Sequence, residues 1–210
     1  MKLSGRNILL GITGGIAAYK CAELVRLLKK SGADVRIVMT RGAEAFVTPL
    51  TLQALSGHAV RTALFDPEQE SAMGHIELAR WADIILVAPA TANFLSQLAH
   101  GAANDLLTTL CLASEHMPVV APAMNQAMWN NAVTRSNITR LQEYGVQVWG
   151  PAEGEQACGE TGEGRMLEPQ QLHDQLVDCL VRGPLQGKRV LITAGPTREP
   201  IDPVRYIGNR

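Results

Sequence analysis

Residues 7–39 constrain the fold more than any other stretch. Asn7–Ile12 is an apolar run too short for a helix, and it runs straight into Thr13-Gly14-Gly15. That is the pattern of a buried strand ending in a tight turn. Apolar residues then recur at helical spacing (Ala17, Ala18, Cys21, Leu24, Val25, Leu27, Leu28) until Ser31-Gly32 ends the run, and Asp34–Met39 reads as a second strand. Strand, glycine turn, helix, strand is a βαβ unit, with parallel strands and a right-handed crossover.

The alternation continues. Ala82–Ala88 and Met117–Ala121 read as strands, with a short one at Val146–Trp149, and helices are expected over Thr91–Ala99, Asn104–Leu112, Asn125–Tyr144 and Pro169–Val181. The expected fold class is α/β: a doubly wound parallel sheet in a flavodoxin-like or Rossmann-like three-layer sandwich. Ligands of such sheets bind at the carboxyl ends of the strands. Four strand-following loops, Thr13–Ile16, Met39–Arg41, Ala88–Asn93 and Ala121–Asn125, would then line one site.

Bulk composition narrows the function classes. The chain has 210 residues, 46% hydrophobic and 19% charged, with a net charge of −1 and only 4% aromatics. Neither a basic field nor a base-stacking surface for nucleic acid is present. No apolar stretch reaches the ~20 residues of a membrane helix. The apolar stretch near the N-terminus is short and broken by Gly14-Gly15, so it reads as a strand and turn in a cytoplasmic protein rather than a secretion signal. The four cysteines match no zinc spacing, and no metal site is expected. Cys21, Cys111 and Cys179 lie in apolar, helix-like surroundings and are expected to pack as small hydrophobes.

After Pro151 the texture changes. Glu153–Met166 carries four glycines among charged residues and reads as a mobile flap rather than core. Arg182–Gly187 resembles a linker, and Lys188–Ala194 reads as a fresh strand. The expected organisation is one domain over residues 1–181, a linker over 182–187, and the truncated start of a second domain over 188–210.

Candidate chemistry is sparse residue by residue. Gly11-x-x-Gly14-Gly15 is neither a dinucleotide fingerprint nor a Walker loop, yet it sets glycines where a strand meets a helix N-terminus, which suits a mononucleotide phosphate or a plain tight turn. His75 precedes a helical run, Asn125 follows a proline turn where it can cap a helix, and Cys158 sits among glycines and polar residues. Each of the three has an ordinary structural reading as well as a functional one.

Taken together, these segments resemble the flavin-containing cysteine decarboxylases. Pro122–Trp129 (PAMNQAMW) matches every fixed position of that family's P-x-M-N-x-x-M-W signature, and Pro89–Asn93 (PATAN) resembles its P-A-S-A-N-T segment, with Thr91 in place of serine and Phe94 where some members have threonine. His75, with Ile76-Glu77-Leu78 and Trp81-Ala82-Asp83 after it, stands as the family's active-site histidine does, and ACGETGEGRM resembles the cysteine-bearing substrate flap of the coenzyme A branch. The resemblance covers about Gly5 to Val181. The tail LITAGPTREPIDPVRYIGN resembles the beginning of a phosphopantothenate–cysteine ligase domain, and no ligase activity is expected from so short a part of one.

The resemblance implies flavin mononucleotide (FMN) as cofactor and 4′-phosphopantothenoylcysteine as substrate. It implies Gly14, Gly15, Ile16 and Thr40 at the cofactor's phosphate end, with Thr91, Ala92, Asn93 and Ala123 nearer the ring. His75 would act as base or orienting group. Asn125 would hold the substrate carboxylate, and Cys158 would protonate an enethiol intermediate. Ala157, Gly159 and Met166 would complete the substrate flap. It also implies a homotrimer, or a trimer-based assembly such as a dodecamer, with sites shared between subunits. Rival readings are a peptide cysteine decarboxylase, a flavin prenyltransferase, a non-catalytic flavin-binding regulator and a flavodoxin-like electron carrier. The Cys158 flap and the ligase-like tail favour the coenzyme A branch, and the regulator is disfavoured because His75, Asn125 and Cys158 are all present without an acidic run.

Overall fold

The structure is a computed structural model, and it describes residues 2–64, 74–157, 159–181, 191–192, 195 and 198–208. Strand β1 (Asn7–Ile12) lies inside a five-stranded parallel sheet with β2 (Asp34–Met39), β3 (Ile84–Ala90), β4 (Val119–Pro122) and β5 (Gln147–Val148), in the order β2-β1-β3-β4-β5. A parallel sheet must be covered on both faces, and β1 shows why this one is. Ile8, Leu10 and Ile12 are buried in one apolar cluster, and Leu9 in the other.

Helices α1 (Lys20–Lys30), α2 (Pro49–Ser56) and α8 (Pro169–Leu180) contribute to the first cluster. Helices α3 (His75–Trp81), α4 (Ala92–Ala99), α5 (Leu106–Ala113) and α7 (Ala132–Glu143) contribute to the second. The three-layer, doubly wound expectation is met. Helix α2 has the end signals that physical chemistry favours: Thr48 caps it, Pro49 opens it, and Gly57 closes it at φ +80°.

Several expected bounds change. The helix expected from Ile16 begins as a 3-10 turn, Ile16–Tyr19, before α1. The region expected to be helical from Asn125 divides into α6 (Gln126–Asn130) and α7, because the Asn131 side chain accepts from the Val133 N–H and starts a new helix. The glycine-rich segment after Pro151 is an antiparallel hairpin, β6 (Ala152–Glu155) and β7 (Thr161–Arg165), and Met166 at its end is buried in the core. Cys21 and Cys111 are buried as expected, but Cys179 is exposed. Although Cys179 follows Leu172 by seven residues, it stands in the last turn of α8, past the buried positions that end at Val177. The expected linker 182–187 and most of the expected strand 188–194 fall outside the described residues. Downstream, β8 (Arg198–Pro200) pairs with β9 (Tyr206–Gly208) as a second hairpin.

His173, which has no marked context in the sequence, is buried on α8. Its Nε2 lies 2.7 Å from Ser31 Oγ at the end of α1, and its Nδ1 lies 3.0 Å from Asp174. The two helices are therefore joined by a polar contact as well as by apolar packing.

Candidate active site

The strand order reverses between β1 and β3, so the loops leaving these two strands diverge to opposite faces and open a crevice. A cleft of about 1060 Å³ lies at this point. Its floor is the turn Thr13-Gly14-Gly15, and the first N–H groups of the 3-10 turn behind it have no partner within the helix. Gly14 is required sterically. A Cβ there would stand 2.7 Å from the Gly42 carbonyl carbon and 2.8 Å from its oxygen, so the loops after β1 and β2 approach backbone to backbone.

Thr13 ties that turn to the loop after β3. It is buried; its hydroxyl donates to the Pro89 carbonyl (2.7 Å) and accepts from the Thr91 N–H (3.1 Å). Thr91 in turn caps α4 by accepting from the Phe94 N–H. The Ala88-Pro89 peptide is cis, and the β3–β4 pairing shifts register between Val87 and Ala90. This irregularity at the strand end sits beside the Thr91–Asn93 wall of the cleft.

The opposite wall is built by the loop after β4 and the β6–β7 hairpin. Asn125 caps α6, its Oδ1 accepting from the Ala127 N–H at 2.8 Å. With the oxygen committed to the cap, the amide nitrogen is the end offered to other groups. It donates to Glu160 Oε2 (2.7 Å) and Gln156 Oε1 (3.3 Å). Two further bonds fasten the hairpin to the loop and a third braces it internally. The Met124 N–H donates to the Gly164 carbonyl (3.0 Å), the Gln126 N–H to Gln156 Oε1 (3.1 Å), and Gln156 Nε2 to the Glu163 carbonyl (3.1 Å). Outside the cleft, Glu163 Oε2 accepts from Trp129 Nε1 (2.9 Å) and Arg135 (3.1 Å), and the Arg135 guanidinium stacks 4.5 Å over the Trp129 ring.

All eight residues assigned to a cofactor from the sequence line this one cleft: Gly14, Gly15, Ile16, Thr40, Thr91, Ala92, Asn93 and Ala123. So do Asn125, Ala157 and Met166. Gly159 is exposed and does not line it, and Cys158 lies outside the described residues. His75 is half-buried at the first position of α3 and is not among the lining residues. Helix α3 returns antiparallel to the strand it feeds, which brings its first residue toward the carboxyl edge of the sheet.

Thr13 lines the cleft as its loop was expected to, while sequence reasoning passed over Lys20, Gln97, Gln156 and Arg165, which also line it. Lys20 follows Ile16 by four residues, and Gln97 follows Asn93 by four, so helical spacing carried a signal for both. Gln156 and Arg165 depend on the hairpin pairing, which the local sequence does not express. Lys20 and Arg165 share Glu168, at 2.7 and 3.0 Å. The hydrogen bond from Lys20, followed by the two positive charges, holds the Glu168 carboxyl below its ordinary range against the opposing effect of burial. Burial pushes the Cys21 and Cys111 thiols up to about 12, so neither supplies a thiolate near neutrality.

The fold and cleft define a doubly wound nucleotide-binding type of protein whose switch-point crevice is closed on one side by a hairpin. The chain belongs to the flavoprotein family: that family's model matches residues 1–181, and the DNA/pantothenate metabolism flavoprotein C-terminal domain matches residues 185–210. It is 59% identical over 207 residues to the coenzyme A biosynthesis bifunctional protein CoaBC of Vibrio vulnificus, covering 99% of this chain and 52% of that protein. The chain thus spans about half the length of the curated relatives it matches. Among solved structures it resembles a cysteine-to-serine variant of PPC decarboxylase complexed with pantothenoylaminoethenethiol (TM-score 0.71, 32% identity, 81% of this chain and 96% of that one). It also resembles the FMN-dependent cysteine decarboxylase SpaF (TM-score 0.72, 31% identity, 84% and 98%).

Proposed function

We propose that this chain binds FMN in the switch-point cleft and decarboxylates 4′-phosphopantothenoylcysteine to 4′-phosphopantetheine, a step of coenzyme A biosynthesis. The carrying observation is Asn125. Its amide oxygen is consumed by the α6 cap, so its nitrogen is presented beside the cleft as a donor suited to a carboxylate. The cleft fits the cofactor on its own terms. Gly14 packs backbone to backbone on Gly42, which holds the turns after β1 and β2 together at the cleft, and the helix start behind Gly15 offers backbone N–H groups to a phosphate. Gly14, Gly15, Ile16 and Thr40 would hold the phosphate end, with Thr91, Ala92, Asn93 and Ala123 along the rest.

When bound, FMN supplies a two-electron oxidation and the matching reduction, which lets a redox group serve a net non-redox reaction. Loss of hydride from Cβ and of the sulfur proton makes the substrate a thioaldehyde. The thiocarbonyl accepts the electron pair left as CO2 departs, giving an enethiol. Asn125 holds the departing carboxylate in place. Cys158 donates the proton to Cα as hydride returns to Cβ. A solved relative that lacks a cysteine and holds an aminoethenethiol is in keeping with a reaction halted there. Gly159, Ala157 and Met166 complete the substrate side. His75, as base or orienting group, would serve the cleft of a neighbouring subunit in a homotrimer or trimer-based dodecamer.

Residues 1–181 form the decarboxylase domain, 182–187 a linker, and 188–210 the beginning of a second domain. A cytoplasmic setting goes with the coenzyme A reading. Among the described residues, no helix is long and apolar enough to cross a membrane. Purified protein given the substrate should be yellow and yield CO2 and 4′-phosphopantetheine by mass spectrometry, and Cys158→Ser should release CO2 yet accumulate the enethiol. Colourless protein that stays inactive with added FMN, or saturated product from Cys158→Ser at the normal rate, refutes this reading.

A further inference from the structure

The Glu160 carboxylate accepts from the Asn125 amide, the group read above as the donor to the substrate carboxylate. Asn125 has two amide protons to give, since its oxygen serves the α6 cap. Its nitrogen donates to Gln156 Oε1 (3.3 Å) and to Glu160 Oε2 (2.7 Å), the shorter of these two and the one with a charged acceptor. Gln126 Nε2 also reaches the same Glu160 oxygen, at 3.4 Å.

The two acceptors differ in how firmly they are held. Gln156 is fixed from both ends of its amide. Its oxygen also accepts from the Gln126 N–H (3.1 Å), and its nitrogen donates to the Glu163 carbonyl (3.1 Å). Glu160 is exposed, at the turn between β6 and β7, so water competes for its carboxylate. Gln156 therefore reads as the lasting orienting partner of Asn125, and Glu160 as the exchangeable one.

We propose that Glu160 is an internal stand-in for the substrate carboxylate: it occupies the Asn125 amide in the free protein and gives way when the substrate's own carboxylate arrives. This rests on the reading of Asn125 given above. Glu160 is a specificity-determining residue here, not a catalytic one. While in place, it keeps the Asn125 donor satisfied and aimed, and its charge works against any carboxylate that fails to displace it. A ligand without a carboxylate does not compete with it at all.

The test uses the FMN-loaded protein and two unreactive ligands. One is 4′-phosphopantothenoylserine, which keeps the carboxylate but has no thiol to oxidise; the other is 4′-phosphopantetheine, which has no carboxylate. Glu160→Gln should bind the serine analogue about three- to ten-fold tighter, the size expected of a partly exposed charged hydrogen bond. Its affinity for 4′-phosphopantetheine should stay within about two-fold. Glu160→Asp, which keeps a carboxylate, should move back toward the original ratio, and the gain in Glu160→Gln should vanish in an Asn125→Ala background. Weaker binding of the serine analogue by Glu160→Gln, or an equal change for both ligands, overturns the proposal while leaving the decarboxylase reading intact. If Asn125→Ala alone leaves the serine analogue's affinity unchanged, the role of Asn125 falls, and the proposal falls with it.

Discussion

Replacing Gly14 by alanine tests whether the floor of the cleft is set by backbone contact. The added Cβ would meet three Gly42 backbone atoms at 2.7, 2.8 and 2.9 Å, and an ordinary contact begins at 3.4 Å. The shortfall of about 0.7 Å cannot be relieved by turning a side chain, because every atom met is main chain. Either the turn after β1 or the segment after β2 must move. Overpacking of this kind costs about 1–3 kcal/mol. For a domain of this size that corresponds to a fall in melting temperature of about 2–12 °C.

The displacement falls on the segment proposed to hold the cofactor phosphate, so flavin retention should drop together with stability. Gly15→Ala is the matched control. Its Cβ would meet only Thr91 Cγ2 at 3.6 Å and Pro89 Cγ at 3.9 Å, both ordinary contacts, so stability should hardly change. The assay is thermal unfolding of the apo and FMN-loaded forms, with the flavin absorbance per chain measured after gel filtration. A Gly14→Ala protein that melts and retains flavin like the parent would refute the steric argument. So would equal losses in the two variants.

Other perturbations probe the rest of the site. Thr13→Val removes the buried hydroxyl between Pro89 and Thr91 and should cost about 1–3 kcal/mol by denaturant titration, with Thr13→Ser close to the parent. Glu163→Gln weakens the hold of Trp129 and Arg135 on the hairpin; KM for the proposed substrate should rise about three- to ten-fold while stability changes by less than about 1 kcal/mol. Unchanged KM would show that the hairpin is held without that carboxylate. Because the Glu168 carboxyl is held below its ordinary value of 4.5, its contribution to stability is present above pH 4.5 and is lost as pH falls through the lower folded value. Acid-unfolding curves of Glu168→Gln should therefore fall less steeply than the parent's in that window, and parallel curves would exclude the linkage.

The parts of the fold legible in the sequence are those fixed by local physics. β1 and β2 fall at Asn7–Ile12 and Asp34–Met39, as predicted: β1, covered on both faces, is apolar after Asn7, while β2 carries Asp34 and Arg36 at its start and is apolar from Ile37 onward. Prolines misplaced the next two. β3 runs through Pro89 to Ala90 and β4 ends on Pro122, although proline discourages a strand assignment. The hairpin was invisible for a different reason. Glu, Gly and Gln make a poor strand by propensity, and what orders β6 and β7 is a set of bonds to Met124, Gln126 and Trp129, about thirty to forty residues away in the chain. For the site, the glycine turn and the Asn125 loop were readable because steric and capping demands leave few residue choices. The partners that aim Asn125 were not, since Gln156 and Glu160 gain their meaning only once the hairpin is folded over the loop.

That coupling bears on how such a site can be both preorganised and accessible. Asn125 sits on a rigid element, the start of α6, with its amide oxygen locked by the helix it caps. Orientation of the donor therefore needs no contribution from the ligand, which is the condition for binding a carboxylate without a further ordering cost. The covering hairpin is held differently. It is joined to the same loop by a few hydrogen bonds, mostly from side chains, and by a half-exposed carboxylate shared between Trp129 and Arg135. Interactions of that kind are individually worth about 1 kcal/mol or less in water, so the hairpin can loosen without disturbing the sheet or the α6 cap. The donor and its cover are thus stabilised by different kinds of contact. Substrate entry then requires breaking only the weaker set.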